Sequence, residues 1–440
     1  MTVEDAPERV FAPRYRREWD FDEVLSNLLE QYRRRGAAIE VDFRDIVPFG
    51  SGVDRATHLM HSYPAKLLPN IPLFFLHCSQ LVRSRSLISD PFCGTGTVLV
   101  EGLLAGHKVI GADSNPLARQ IALAKTTRIN PKDASVALGK LSRIFGTVAP
   151  KAFAPVVNVE RWFSPENTAE LGKLLGAIDT VEDEAIRRLF AVTASQCIRR
   201  FSKVDPRMSV PVVRRDPSPP KSLPPLLDLF HASLQTNIRR LMILPIEAKP
   251  ELLLSDARHL IASDIPPADL VVTSPPYAGA QKYIRASSLS IGWLNLAPGN
   301  KLRALEQQNI GREHLTASER MLDWNVAAPE YGALLTRIGA INPSRAAILG
   351  TYLMEMRDAM NAVVRSIRKG GHLVLVMGDN QVCGIAVPTS QLIRDICVSA
   401  GLEPRLELVD TIKSRGLMTK RNRSASVIAR EHVFLLRKPM

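Results

Sequence analysis

The sequence predicts an α/β fold with a doubly wound, mostly parallel sheet of seven strands, an antiparallel edge and helical insertions. Short β-rich runs alternate with longer helical stretches, and many of these runs end in an acid or a turn residue. The connection between the last two runs is too short for a typical crossover helix, so these two strands are expected to pair antiparallel. The expected strands are 86–89, 108–112, 251–255, 269–273, 372–377, 405–410 and 432–437.

Length and composition limit the class of protein. The 440 residues, 45% of them hydrophobic, are enough for one large domain with insertions or for two to three ordinary domains. No apolar run approaches the roughly 20 residues that cross a bilayer, and residues 1–17 carry acids and prolines instead of a signal-peptide core. These features predict a cytoplasmic protein without a membrane partner. Five cysteines lie far apart without a C-x-x-C pair, which predicts reduced thiols and no metal site.

The charge of the chain is compatible with a polyanionic partner. The net charge is +13 and the isoelectric point is near 9.7. Contacts between basic side chains and phosphates dominate nonspecific affinity for nucleic acids. Taken alone, the charge supports a nucleic-acid partner and a merely basic globular protein about equally.

Two stretches interrupt the alternation of strands and helices. The first lies between the second and third strands, with helical periodicity around residues 169–178 and 184–201 and a basic, proline-rich run at 199–225 that predicts a loop or linker. The second covers roughly residues 296–344 and is also rich in arginine and lysine. Both are candidates to hold a substrate.

A glycine-containing loop at residues 90–97 follows the first strand and precedes a helical run. Gly94 and Gly96 allow a ligand to approach the backbone at the carboxyl end of the sheet. The loop lacks the Gly-Lys-Ser/Thr of a phosphate-binding loop, and Leu99 stands where a dinucleotide motif has its third glycine. A strand-to-helix turn without a ligand is the alternative interpretation.

Acidic residues follow the next two strands. Asp113 comes about 20 residues after the glycines, where an acid commonly accepts hydrogen bonds from a ribose, and Asp256 follows the third strand. Together they predict a ligand with a ribose and a base. Each acid alone is also typical of an exposed turn or a helix N-cap.

The segment Thr-Ser-Pro-Pro-Tyr at 273–277 ends the fourth strand. The Ser274 side chain and the Pro275 carbonyl can accept hydrogen bonds, the two prolines restrict the backbone, and Tyr277 offers a face for stacking. Such a tetrapeptide by itself is more typical of a surface turn. Its occurrence together with the 90–97 loop favours one active site built from both segments.

With these segments the chain resembles the S-adenosylmethionine-dependent DNA amino-methyltransferases, which methylate the exocyclic amine of cytosine or adenine. The matching parts are residues 90–96, Asp113, Asp256, residues 273–277 and the upstream segment 61–66. The resemblance implies S-adenosyl-L-methionine as the cofactor and double-stranded DNA, with the target base rotated out of the helix, as the substrate. Serine at position 274 is the version usually associated with cytosine N4, whereas aspartate there occurs with adenine and sometimes with cytosine.

The resemblance, together with the basic stretches, also assigns site residues. The catalytic residues would be Ser274, Pro275, Pro276 and Tyr277. The cofactor would be bound by Tyr63, Pro64, Lys66, Asp90, Pro91, Phe92, Gly94, Gly96, Thr97, Asp113, Ser114, Asn115, Asp256, Ala257 and Thr273. DNA would be contacted by Arg214, Arg215, Arg303, Arg312, Arg415, Lys420, Arg421 and Arg423.

The resemblance implies four regions along the chain. They are an N-terminal helical extension at 1–55, the cofactor-binding half at 56–150, a helical and basic proline-rich insertion at 151–245 as a candidate for target recognition, and the catalytic half at 246–440 with an insertion at about 296–344. A cognate restriction endonuclease, a monomer or dimer and association with the nucleoid complete the expectations.

Several alternatives stay open. The order of the cofactor loop before the catalytic loop is the reverse of that in many cytosine-N4 enzymes, which keeps N6-adenine as a rival. An RNA or protein amide methyltransferase is a further alternative, although such relatives usually carry Asn at position 274. A DNA-binding protein that keeps the fold without turnover is another. A methyltransferase acting on the cytosine ring carbon is not expected, because the chain has no Pro-Cys dipeptide for the nucleophile.

Overall fold

A computed structural model describes residues 20–48, 55–64, 66–151, 156–215, 223–260, 265–278, 283–297, 301–324, 328–412 and 429–440. Its strands are β1 (Ile39–Val41), β2 (Leu87–Asp90), β3 (Lys108–Ala112), β4 (Leu252–Leu254), β5 (Ala268–Thr273), β6 (Ile367–Met377), β7 (Asn380–Val382), β8 (Ile385–Val387), β9 (Glu403–Thr411) and β10 (Arg430–Arg437). Within the described ranges, eight of them form one sheet, and β7 and β8 form a separate hairpin.

The sheet confirms the predicted α/β class and its Rossmann-like, mostly parallel arrangement. The strand order is β1-β9-β10-β6-β5-β2-β3-β4, and β10 runs antiparallel to both β9 and β6 while the other pairings are parallel. All seven predicted strands are present, but the described sheet has eight. The additional strand, β1, pairs with β9 inside the stretch that we expected to be helical. A strand of three residues is too short to show a period of two in the sequence.

Helices cover both faces of the sheet. Leu270 and Val272 of β5 belong to one hydrophobic cluster, whereas Val271 between them belongs to the other. On β6, Val374 belongs to the first cluster and its neighbour Leu375 to the second. Successive side chains of a strand point to opposite faces, so a strand that is apolar at every position needs cover on both sides.

The helices of the described residues are α1 (Phe21–Arg35), α2 (Phe43–Ile46), α3 (Asn70–Leu76), α4 (Thr97–Leu104), α5 (Pro116–Thr126), α6 (Pro131–Ile144), α7 (Val159–Trp162), α8 (Pro165–Asp179), α9 (Glu184–Arg200), α10 (Leu226–Leu241), α11 (Tyr283–Ala286), α12 (Ser288–Trp293), α13 (Leu302–Gln308), α14 (Ala317–Arg320), α15 (Gly332–Ile341), α16 (Pro343–Ser366) and α17 (Thr389–Ser399). The two predicted helical stretches of the first insertion are confirmed as α8 and α9. None of the helices listed above combines the length and the apolar character needed to cross a membrane.

A buried ionic network attaches the segment upstream of β2 to α4. Glu101 of α4 accepts two hydrogen bonds of 2.7 Å from Arg55 and one of 2.7 Å from His58 Nε2. Burial disfavours the charge on Glu101, yet the hydrogen bonds from Arg55 and His58 lower its pKa to about 2. Thr57 adds a hydrogen bond of 3.0 Å to the Lys125 carbonyl of α5. This segment is therefore fixed against the two helices that follow β2 and β3.

The order in which successive strands are added to the sheet reverses between β2 and β5. From β2 the sheet grows through β3 to β4 on one side, and through β5 to β6 on the other. Open α/β sheets bind ligands outside the carboxyl ends of the strands at such a reversal. The two motifs of the sequence follow β2 and β5 and so lie at this position.

Candidate active site

An open cleft of about 690 Å³ lies at the carboxyl ends of β2, β3, β4 and β5. The residues that line it are Tyr63, Pro91, Phe92, Gly94, Asp113, Ser114, Asn115, Asp256, Ala257, Ser274, Pro276, Tyr283, Gln308, Asn309 and Ile310. The segments after four neighbouring strands thus meet in one cavity.

Asp113 joins the loop after β2 to the loop after β3. One of its carboxylate oxygens accepts a hydrogen bond of 2.9 Å from the Gly94 N–H, and the other accepts one of 2.7 Å from the Asn115 N–H. Gly94 and Gly96 have φ angles of +50° and +79°, which glycine adopts without steric cost. Burial raises the pKa of Asp113 to about 6 despite these hydrogen bonds. Hydroxyl donors from a ligand would favour its ionised form.

Asp90 connects the two motifs below the cleft. Its Oδ1 accepts a hydrogen bond of 2.7 Å from the Thr273 hydroxyl and one of 3.2 Å from the Phe92 N–H. Burial raises the pKa of Asp90 to about 7. Asp90 and Thr273 hold the ends of β2 and β5 together and do not line the cleft.

The upstream segment reaches the cleft through Tyr63. The hydroxyl of Tyr63 accepts a hydrogen bond of 2.8 Å from Asn115, whose own side-chain oxygen caps α5. Lys66 donates hydrogen bonds to the carbonyls of His58 and His61. Lys66 thus supports the segment without lining the cleft.

Three side chains from distant parts of the chain hold the Ser-Pro-Pro-Tyr loop. Tyr352 of α16 donates a hydrogen bond of 3.0 Å to the Pro276 carbonyl. Asn380 of β7 donates one of 2.5 Å to the carbonyl of Ala278. The Tyr277 hydroxyl donates one of 2.9 Å to Glu431 of β10. The loop is therefore fixed on both sides of the prolines.

The opposite wall contains residues that sequence reasoning missed. They are Tyr283, Gln308, Asn309 and Ile310. The Ser114 hydroxyl donates a hydrogen bond of 2.5 Å to the side-chain oxygen of Asn309, which connects this wall to the loop after β3. The last three residues lie in the 296–344 stretch that we expected to hold a substrate, but no motif there distinguishes them from their neighbours.

The predicted cofactor and catalytic residues divide into two groups. Those that line the cleft are Tyr63, Pro91, Phe92, Gly94, Asp113, Ser114, Asn115, Asp256, Ala257, Ser274 and Pro276. Those outside its lining are Pro64, Lys66, Asp90, Gly96, Thr97, Thr273, Pro275 and Tyr277. Pro275 is buried, and Gly96 and Thr97 begin α4.

The predicted DNA contacts differ in how far their side chains are exposed. The Arg312 side chain is 8% exposed and paired with Glu319 and Glu355, so its charge is already balanced within the protein. Arg214 is partly buried and donates a hydrogen bond of 3.3 Å to the Ser202 carbonyl. The two exposed members are Arg215 and Arg303. The others, Arg415, Lys420, Arg421 and Arg423, lie outside the described residues.

Metal ligands do not gather at the cleft or elsewhere in the part of the chain that the structure describes. No group of three or more His, Cys, Asp or Glu side chains is placed there to hold an ion. The pairing of Asp256 with Arg258, at 2.5 Å, is the kind of contact that satisfies an acid without a metal.

Similarity to known proteins agrees with this geometry. The model of the RMKL-like methyltransferase domain matches residues 59–139, which include Tyr63, the Gly94 loop and Asp113. The Type II methyltransferase M.MvaI of Kocuria varians is 23% identical over 380 residues, covering 77% of this chain and 80% of the relative. Residues 59–139 thus match a methyltransferase domain, and the chain as a whole is similar to a Type II methyltransferase. These two matches also support the resemblance to DNA amino-methyltransferases.

Solved structures resemble the chain only distantly. TrmN from Thermus thermophilus is 10% identical, with 85% of this chain and 50% of that chain covered and a TM-score of 0.31. A SAM-dependent methyltransferase from Methanosarcina mazei is also 10% identical, with 86% and 100% covered and a TM-score of 0.30. The chain thus spans about half the length of TrmN. At these scores the likeness adds nothing to the sheet order described above.

The groups that the cleft presents fit S-adenosylmethionine. A methyl group added at Gly94 would meet no atom within 4 Å, so the protein leaves free space beside this backbone. Asp113 and Asp256 offer acceptors to ribose and base, and Asp113 also offers negative charge to a cationic ligand, whereas the charge of Asp256 is paired with Arg258. Phe92 and Tyr63 add apolar surface to the lining of the cleft.

Proposed function

We propose that this methyltransferase modifies the exocyclic amine of a base in double-stranded DNA, with cytosine N4 as the preferred target. The observation that carries the proposal is the position of Ser274 and Pro276, which line the same cleft as Gly94, Asp113 and Asp256. A base held by the first pair of residues would face a cofactor held by the other three. This is the arrangement that direct transfer between two bound molecules requires.

The cofactor side of the cleft would act by holding and orienting. Asp113 accepts the ribose hydroxyls, Asp256 faces the adenine, and the Gly94 backbone lets the ligand approach closely. When bound, S-adenosylmethionine supplies an electrophilic methyl group on a positively charged sulfur. The ionised form of Asp113 also balances part of that charge.

The catalytic side would act on the nitrogen that receives the methyl group. An exocyclic amine is a poor nucleophile because its lone pair is delocalised into the ring. The Ser274 hydroxyl and the Pro275 carbonyl can accept the amine hydrogens and favour a pyramidal nitrogen, and the prolines hold that carbonyl in place. Stacking on Tyr277 offsets part of the few kcal/mol needed to rotate the base out of the duplex.

DNA is the proposed partner because the chain is strongly basic and M.MvaI is named a Type II methyltransferase. Arg215 and Arg303 are exposed and remain proposed phosphate contacts. A cognate endonuclease, a monomeric or dimeric state and a location at the nucleoid stay proposals of the same kind.

N6-adenine is the second candidate for the target. The cofactor loop precedes the Ser-Pro-Pro-Tyr segment in this chain, whereas many cytosine-N4 enzymes have the reverse order. This observation favours adenine, and the serine at position 274 favours cytosine. The two candidates differ in the product and so are separable by one measurement.

The test is incubation with duplex DNA of random sequence and radiolabelled cofactor, followed by digestion to nucleosides. We expect label in N4-methylcytosine, and Ser274→Ala should reduce kcat by about 10²-fold or more, since it removes an acceptor at the reacting amine. Ser135→Ala is the matched control, because Ser135 is exposed on α6 and bonds only locally to Pro131. Label in N6-methyladenine would select the second candidate. Transfer to RNA or protein but not DNA would overturn the proposal.

A further inference from the structure

The segment that leads to Tyr63 is largely buried but has no regular structure to satisfy its backbone. Residues 55–64 form neither helix nor strand, and residues 55–58, 60 and 61 are buried. A buried carbonyl without a hydrogen-bond partner costs about as much free energy as a lost hydrogen bond. Donors from side chains are therefore needed to keep this segment in place, and Tyr63 at its end lines the cleft.

Four successive carbonyls, of residues 58–61, accept hydrogen bonds from side chains, and the two in the middle are held by the first insertion. Arg240 of α10 donates a hydrogen bond of 3.1 Å to the Leu59 carbonyl. Gln196 of α9 donates one to the Met60 carbonyl. The two outer carbonyls accept hydrogen bonds from Lys66. The insertion thus supplies donors that the segment itself lacks.

The orientation of the Gln196 amide is fixed by the neighbouring helix. Its oxygen accepts a hydrogen bond of 3.4 Å from the buried Asn237 of α10, which leaves the amide hydrogens for Met60. Next to Gln196, the Ser195 hydroxyl lies 2.9 Å from His61 Nε2. Burial lowers the pKa of His61 to about 3, so its ring is neutral near pH 7 and needs no counter-charge there. Two adjacent residues of α9 therefore hold two adjacent residues of the segment.

The same helix also contacts the element that carries the partner of Tyr63. The Tyr63 hydroxyl accepts a hydrogen bond of 2.8 Å from Asn115, the N-cap of α5. Arg188 of α9 donates one of 3.2 Å to Gln120 of α5. The helix α9 is thus attached on both sides of the bond that places Tyr63 in the cleft.

We propose that the first insertion contributes to cofactor binding, with Gln196 and Arg240 as positioning residues that hold Tyr63 in the wall of the cleft. Neither of the two lines the cleft, so they act through the 58–61 segment. The inference rests on the cofactor-binding part of the proposed function and does not depend on the target base. It gives the insertion a task besides the target recognition for which it is a candidate.

The main variant is Gln196→Met, which keeps an unbranched side chain of similar length but has no hydrogen to donate. The Met60 carbonyl then loses its donor, and Tyr63 is held less firmly. We expect the Kd for S-adenosylmethionine, measured by calorimetry without DNA, to rise about tenfold.

The matched control is Asn167→Ala within the same insertion. Asn167 of α8 donates a hydrogen bond of 2.8 Å to the Phe201 carbonyl, so this change also removes a bond from a side chain to a carbonyl, but one outside the 58–61 segment. It should lower the midpoint of urea unfolding and leave the Kd unchanged. A rise in Kd as large as that of Gln196→Met would show a general effect of destabilisation and would overturn the proposal.

Arg240→Ala tests the second donor. The hydrogen bond to Leu59 is exposed, so water can replace the donor, and the rise in Kd should be smaller than that of Gln196→Met. Arg239→Ala is the control, because Arg239 is exposed and hydrogen-bonds to Thr236 on its own helix. The two variants remove the same charge, so equal Kd values in both would contradict a role of Arg240 in positioning.

A double variant separates positioning of Tyr63 from other effects of the insertion. In a background of Tyr63→Ala, the side chain that Gln196 positions is absent, so Gln196→Met should cause no further rise in Kd. A further tenfold rise would show that the insertion acts on the cleft by another route, and the proposal would be wrong.

The outcomes distinguish this inference from the proposed function. If wild type binds S-adenosylmethionine and Gln196→Met binds it as tightly, the inference is wrong and the proposed function stands. If wild type does not bind S-adenosylmethionine, both fail. Binding decides this inference and analysis of the methylated product decides the target, so the two can fail separately.

Discussion

The two sides of the cleft are built from contacts of very different range. On the cofactor side, Asp113 is bonded to Gly94, 19 residues away, and to Asn115, two residues away. On the insertion side, the hydrogen bond from Ser114 to Asn309 joins residues 195 positions apart. The cofactor side is thus a local structure that follows from two strand-to-helix turns. The insertion side depends on how separate parts of the chain pack together.

The two sides also differ in what holds them. The cofactor side rests on buried charged groups, among them Glu101 with its three hydrogen bonds. The insertion side meets it through partly buried neutral groups such as Ser114 and Asn309. Substitutions on the cofactor side should therefore cost more, both in stability and in ligand affinity.

The largest effect is expected from Glu101→Ala. It leaves Arg55 and His58 without their buried partner, so the free energy of unfolding should fall by about 3–5 kcal/mol in urea titrations. Glu30→Ala is the control, since Glu30 is 53% exposed and its pair with Arg34 is worth about 1 kcal/mol at most. Equal losses in the two variants would show that the network does not hold the cofactor side.

A smaller effect is expected from Asp113→Asn. The amide group places hydrogens against one of the two backbone N–H donors and removes the charge, so the affinity for S-adenosylmethionine should fall about 10- to 100-fold by calorimetry. Asp133→Asn on α6 should leave it unchanged. An unaltered affinity in Asp113→Asn would remove this acid from the binding site.

The same acid gives the binding a pH dependence. The pKa of Asp113 is about 6 without ligand, and ligand hydroxyls favour the ionised form, so affinity should rise from about pH 5 to about pH 7 in wild type and stay flat in Asp113→Asn.

The stability of the folded protein should change with pH in the opposite direction. Asp90 and Asp113 both titrate above their ordinary 3.8 in the folded state, so the folded protein binds more protons than the unfolded chain between about pH 4 and 7. Their joint contribution to the free energy of unfolding therefore falls as the pH rises through that window.

The smallest effect is expected on the insertion side, from Asn309→Ala. This change removes the hydrogen bond from Ser114, worth about 0.5–1.5 kcal/mol, so cofactor affinity should fall about tenfold or less. In urea titrations the free energy of unfolding should fall by no more than about the same 0.5–1.5 kcal/mol. Gln307→Ala serves as a control on the helix that ends just before Asn309, because Gln307 is exposed and does not line the cleft. A loss as large as that of Asp113→Asn would contradict the contrast between the two sides.

This contrast also explains how far the sequence could predict the molecule. The apolar runs before Asp90, Asp113 and Thr273 identify parallel strands, and the acids and glycines after them lie at one edge by the geometry of the sheet. That reasoning located the cofactor loop and the Ser-Pro-Pro-Tyr segment in one cleft. It needed no knowledge of contacts between remote helices.

The rest depended on packing that leaves no periodic pattern. Tyr283 and Asn309 reach the cleft because short helices fold across it, and their sequence resembles that of many exposed loops. Arg312 is a basic residue of the kind that contacts DNA. Its charge, however, is paired with Glu319, seven residues away, and with Glu355 of α16. β1 adds to the sheet edge with three residues. Each of these features is decided by which partner is near in space.

The hydrogen bond between Asp90 and Thr273 has a consequence for how molecules enter and leave. It is buried and ties two central strands at the point where the sheet reverses. Spreading these strands would expose an unpaired carboxyl group, whereas parting Ser114 from Asn309 releases two neutral groups that water can solvate. Release of the used cofactor and binding of a new one should therefore cost least free energy when the short helices move and the sheet keeps its position.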